Sequence, residues 1–243
     1  MSSKRPASIS DLRQRVARAR LPGGDRAVTD RARRMLDVYL ETADAHGLAL
    51  ADVARELKSG TAALRIGGAE LEQQATSAAL RDAACAPGCA FCCILAGEDG
   101  AVIFEAEARA LHGALVPLAG EPDGRDWSAR ACPALDPETR ACRAYDARPM
   151  VCRAYVSPDA EACRQVAEGI PAPGPGLLGG RAVSLAVQML ARAALQGVAT
   201  VPSFSLSAVA AAAVEGREID AALREARHKP RVMDDERRRA AGD

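Results

Sequence analysis

All eight cysteines of this chain fall between Cys85 and Cys163, and the remainder of its 243 residues contains none. A lone cysteine can be a small buried hydrophobe, but packing gives no reason to gather eight in one window. The first group, CAPGCAFCC, reads Cys85-x3-Cys89-x2-Cys92-Cys93. The second comprises Cys132, Cys142, Cys152 and Cys163, separated by nine, nine and ten residues. Within the second group Cys142-Arg-Ala-Tyr145 returns as Cys152-Arg-Ala-Tyr155, delivering one cysteine per turn-bounded segment. That spacing suits loops converging on a common centre.

Two chemistries compete for such a set: metal ligation and redox disulfides. The opening MSSKRPASIS is basic, with no apolar stretch after it, so no secretory signal is read. The uncharged stretch Val198 to Val214 is broken by Pro202 and too polar for a membrane span. A cytoplasmic location is expected, where thiols stay reduced and metal is the better explanation. Thiolate-only ligation suits both zinc and iron–sulfur clusters. Zinc ribbons pair two CxxC knuckles, whereas this chain has one, Cys89 to Cys92, and the irregular spacing favours iron–sulfur, [4Fe–4S] in particular. Neighbouring side chains diverge, so Cys92 and Cys93 are expected to serve different centres unless one is free. Cys85-x3-Cys89-x-Phe91-Cys92 also fits the cluster signature of radical S-adenosylmethionine enzymes. Those enzymes need repeated βα units, and only residues 101–104 read as a strand.

Alanine and leucine dominate the apolar residues and aromatics make up 3%, which favours helix over sheet. The expected fold is mainly α: a helical scaffold around an irregular, loop-rich cysteine core with little or no sheet. Residues 1–84 read as helices, with Ser10 and Thr29 as N-caps and stops at Gly47 and Gly60. Residues 85–168 form the metal-binding region and 169–180, with GIPAPGPGLLGG, a linker. Two C-terminal helices follow over 181–228, and 229–243 lacks apolar periodicity and is expected to be disordered. The helices are expected to bury the cysteine region in one unit.

Lys+Arg and Asp+Glu balance at 32 each, so no global field draws the protein to nucleic acid or membrane. The basic segment 1–34, with ten Lys/Arg against three Asp/Glu, reads as a solvated start. His46, His112 and His228 are far apart in sequence and form no hydrolase pattern. Around the cysteines, Arg143 and Arg153 are placed to stabilise thiolate charge. Tyr145 and Tyr155 should pack around the centre, and Arg148-Pro149 should fix the loop before Cys152.

CAPGCAFCC followed by CPALDPETRACRAYDARPMVCRAY resembles the YkgJ-type cysteine-cluster family, whose members are described as zinc- or iron-chelating. Cys85, Cys89, Cys92 and Cys93 match its first block. Cys132, Pro133, Leu135, Asp136, Cys142, Tyr145, Arg148, Pro149, Cys152 and Arg153 match its second. The resemblance covers residues 85–164 and implies metal binding by these cysteines. A related branch, the flagellin lysine N-methylases, uses S-adenosylmethionine, but no separate glycine-rich nucleotide motif supports that cofactor here. Three functions remain open: a cluster protein with a redox, electron-transfer or modification role and a protein or redox partner, a zinc-stabilised interaction module, and an S-adenosylmethionine-using enzyme.

Overall fold

In the computed structural model, residues 5–74, 77–94, 101–172 and 176–241 are described. The chain is mainly helical, with two short two-stranded antiparallel sheets. It divides into two compact units rather than the one expected. The first gathers Met1–Leu71, Gly179–Ser203 and Lys229–Asp243; the second gathers Glu72–Leu178 and Phe204–His228. Neither is continuous in sequence. Among the described residues no helix is long and apolar enough to cross a membrane.

The first unit is a helical bundle. Helix Ile9–Arg18 starts at Ser8, whose Oγ accepts the Asp11 amide at 3.1 Å, rather than at Ser10. Helix Arg26–Ala45 starts at Asp25, whose carboxylate takes the amides of Ala27 and Val28. An aspartate outranks threonine as a cap, and Thr29 instead turns its hydroxyl back to the Asp25 carbonyl at 2.7 Å. Leu50–Ser59 and Thr61–Gln73 are separated by Gly60, whose φ of 88° is open only to residues tolerant of the left-handed region. Leu12, Val16, Leu36, Leu40, Val53 and Leu57 are buried, and the helices carrying them pack on the central helix Gly179–Ala194.

The tail expected to be disordered contains helix Arg231–Ala241. Its one buried apolar side chain, Met233, gives no periodic stripe to read in the sequence. Polar groups do the docking: Arg237 donates to the Gly23 carbonyl at 2.9 Å and to Thr29 Oγ1 at 2.8 Å. Asp234 pairs with Arg192, and Glu236 with the buried Arg181 at 3.1 Å.

In the second unit, strand Val102–Ile103 pairs with Phe204–Ser205. Helix Glu105–Leu115 follows the first strand and Leu206–Val214 the second. The expected helix over 205–227 breaks at Gly216, φ 70°, and resumes as Ile219–Glu225. Ile103, Leu111, Leu115, Phe204, Val209 and Leu223 form the core, and Cys132, Cys142 and Cys152 pack against it half-buried. Tyr155–Val156 pairs with Gly176–Leu177, so the expected linker is tied down at its end; residues 173–175 lie outside the described residues.

Candidate metal centre

Each cysteine-bearing loop is held by backbone bonds that its sequence provides. In the first group, Gly88 adopts φ 82°, and a Cβ there would stand 3.0 Å from the Thr139 carbonyl of the second group. Phe91–Cys93 closes a 3-10 turn, presenting Cys92 and Cys93 from consecutive residues. Their side chains do not diverge as expected: the two sulfurs are 4.0 Å apart.

In the second group, Asp136 accepts the amides of Glu138 and Thr139 and the Thr139 hydroxyl on one oxygen. This Asx turn folds the 132–143 segment back, bridging Leu135 to Cys142. The Arg143 amide donates to the Ala134 carbonyl at 2.8 Å, which brings Cys142 towards Cys132. The Cys132 amide in turn donates to the Cys93 carbonyl at 3.2 Å, joining the two groups. Gly124 lets this loop approach: a Cβ there would collide with the Cys132 carbonyl and stand 2.9 Å from Leu135 Cβ.

Cys152 sits in the one-turn helix Met150–Arg153. Glu107, 3% exposed, anchors that turn by accepting the Met150 amide at 2.6 Å. Its other oxygen accepts the Phe104 amide at 2.7 Å, so one carboxylate ties the Cys152 turn to the start of helix Glu105–Leu115. Cys163 is buried in helix Ala160–Ala167, which packs on the Phe91–Cys93 turn. Cys85 is exposed and donates weakly to the Ser157 carbonyl, 3.9 Å away.

All eight thiols are free of disulfides. Their mutual influence shows which ones are neighbours. Burial raises Cys89, with further upward pressure from Cys85, Cys92 and Cys163. Burial raises Cys132 to about 12, with Cys142 and Cys92 adding to it. It also raises Cys152, helped by Cys132, Cys142 and Cys92, and Cys142, where Arg148 and Arg143 oppose it. Cys93 is raised by its hydrogen bond to Cys92, by burial and by the charges of Cys92, Cys132 and Cys152. Cys92 is lowered, because Cys93 donates to it and Arg148 lies near, together outweighing burial. By these influences Cys89 is linked to Cys85 and Cys163 in one neighbourhood, and Cys93, Cys132, Cys142 and Cys152 are linked in another. Cys92 belongs to both.

The aromatic and cationic residues divide. Tyr155 is half-buried beside Cys163, Cys92, Cys85 and Cys93, and burial followed by their charges raises its hydroxyl. Tyr145 does not pack inward: it is 62% exposed, with the Arg148 guanidinium 3.6 Å over its ring. Arg143 reaches Glu121 at 3.4 Å and keeps a buried Nε without a partner. Arg153 is exposed. His112 is buried with Nε2 2.8 Å from the Arg217 carbonyl, a structural role.

Residues 84–168 match the CxxCxxCC family, described as a "putative zinc- or iron-chelating domain". The match, called here the CxxCxxCC domain, covers about a third of the chain. The matched range includes all eight cysteines, Tyr155 and the Asp136 turn. No curated protein and no solved structure matches the chain. Glu107 and Gly124 also lie within the CxxCxxCC domain and were missed in the sequence. The partners of Glu107 are 43 residues apart from it or in the turn before it, and Gly124 meets Cys132 only through folding. Glu at the third position of a helix was the one available signal.

The donor set of the CxxCxxCC domain fits zinc or iron. The thiols offer soft sulfur donors, Cys132 and Cys152 are shielded from water, and the carboxylates of Asp123 and Glu107 act on them. Four sulfurs at about 2.3 Å from a tetrahedral metal stand about 3.8 Å from one another. The Cys92–Cys93 separation is close to that edge. Among the described residues no three Cys, His, Asp or Glu side chains stand close enough together to hold one metal ion.

Proposed function

We propose that the CxxCxxCC domain carries a cysteine-ligated iron–sulfur cluster of the [4Fe–4S] type and serves a redox, electron-transfer or modification role with a protein partner. Cys93, Cys132, Cys142 and Cys152 would hold one centre. Cys85, Cys89 and Cys163 would contribute to a second, and Cys92 stands where either can take it. The observation that carries this reading is the adjacent sulfur pair Cys92–Cys93 at the junction of two thiol neighbourhoods. A [4Fe–4S] cluster takes four thiolates, so eight cysteines suit two centres, and the irregular spacing with one CxxC lacks the paired knuckles of a zinc ribbon. When bound, the cluster supplies one-electron chemistry. The chain's own residues hold its ligands, shield them with Tyr155, and place Arg148 beside Cys92 and Cys142.

Elemental analysis of anaerobically purified full-length protein tests this. Iron with acid-labile sulfide in similar amounts, and a brown colour, is the expected result. Zinc without sulfide would replace the cluster by a zinc-stabilised interaction module. Stable disulfides and no metal would end both readings.

A further inference from the structure

We propose that an open cleft in the second unit binds a small molecule carrying two oxyanion groups, carboxylate or phosphate. The cleft encloses about 890 Å³, within the range of small-molecule sites. It is hollow because small side chains line it: Ala131 from the loop before Cys132, and Ala208 and Ala211 from helix Leu206–Val214. Ser205 and Ser207 add hydroxyls to one side.

Its charge is unbalanced in one direction. Three arginines line it: Arg125, Arg130 and Arg227. Arg125 is already neutralised by Asp123 at 2.7 Å and Glu215 at 3.0 Å. Arg130 has only a carbonyl, that of Ala167 at 2.7 Å, and no carboxylate. Arg227 is exposed and makes no ion pair among the described residues. The acidic lining residue, Glu225, is taken by Arg217. Two uncompensated guanidiniums therefore face the same hollow, and planar forks of this kind recognise carboxylate and phosphate. Alanine and proline walls, including Ala131 and Pro133, leave room for a small apolar body between the two anionic ends. Ala131 belongs with Ala90 and Leu135 to a small buried cluster against which Cys93, Cys132 and Cys142 pack, so a ligand here would lie against the cluster that supports those thiols.

The test is calorimetric titration of the full-length, metal-loaded protein at low ionic strength with two probes that each carry two oxyanion groups, inorganic pyrophosphate and succinate. Saturable binding of at least one is expected, and the stronger of the two identifies the anion type. Arg130→Gln and Arg227→Gln should each weaken it by about tenfold or more, the scale of one lost charged hydrogen bond. Arg224→Gln, exposed and outside the cleft, should leave it unchanged. Equal binding by the cleft variants and the parent, or no binding of either probe at millimolar concentration, overturns the proposal. Metal content is followed in parallel: a normal metal load with no anion binding defeats the cleft alone, and loss of metal does not bear on it. Arg227 is exposed, so its variant decides the matter if Arg130→Gln is unstable.

Discussion

The sulfurs of Cys92 and Cys93 stand 4.0 Å apart although their residues are consecutive. Cys92 influences thiols in both neighbourhoods, while exposed Cys85 lies at the edge of one. Replacing Cys92 with serine should therefore remove more metal than replacing Cys85. Metal-to-protein ratios of the two variants, prepared anaerobically, check this; equal losses would count against a shared central position.

Glu107→Gln keeps the shape of a side chain whose two oxygens accept the Phe104 and Met150 amides. An amide can accept with only one end and presents a donor to the other, leaving a buried N–H unmatched. The expected cost is ~2 kcal/mol, read from urea unfolding. Metal content should fall with it, because the released turn carries Cys152.

Gly124→Ala places a methyl group against the Cys132 carbonyl and Leu135 Cβ. Backbone cannot step aside as a flexible side chain would, so ~1–3 kcal/mol of overpacking is expected. Thermal unfolding with parallel metal analysis should show both stability and load reduced.

Asp123 supplies a pH dependence. Burial pushes its carboxyl up, but the Arg125 side chain and amide outweigh burial and hold it below the ordinary carboxylate value. Its folded value is thus lower than its unfolded one. The stabilisation is complete above the unfolded value and is lost as pH falls towards the folded one. Urea midpoints measured across the acidic range should fall for the parent and fall less steeply for Asp123→Asn. Parallel curves would remove Asp123 from the acid response.

Met233→Ala should cost ~2–5 kcal/mol, as for other buried methionines cut to alanine. A tail without structure would tolerate the change, so unfolding calorimetry of this variant distinguishes the two.

The helices that a strong local pattern specifies were readable in the sequence. Helix Glu105–Leu115 is legible because Leu111 and Leu115, four residues apart, mark its buried face. The eight thiols were also readable as one chemical set, and the CxxCxxCC match supports zinc or iron binding. What escaped reading depends on distant partners. Arg231–Ala241 hid because Arg237 docks by hydrogen bonds rather than by an apolar stripe. Tyr145 was expected inside with Tyr155, since the two share a repeated tetrapeptide, but the first copy leads into a 3-10 turn at the surface and the second into a paired strand. The first neighbourhood of thiols does not follow sequence order, because Cys163 joins Cys85 and Cys89 across helix packing.

Arg237 closes the first unit by bonding to Gly23 and Thr29, more than two hundred positions earlier. During synthesis, everything belonging to the second unit leaves the ribosome before that clasp can form. The first unit therefore cannot complete its bundle until after every residue of the second has emerged.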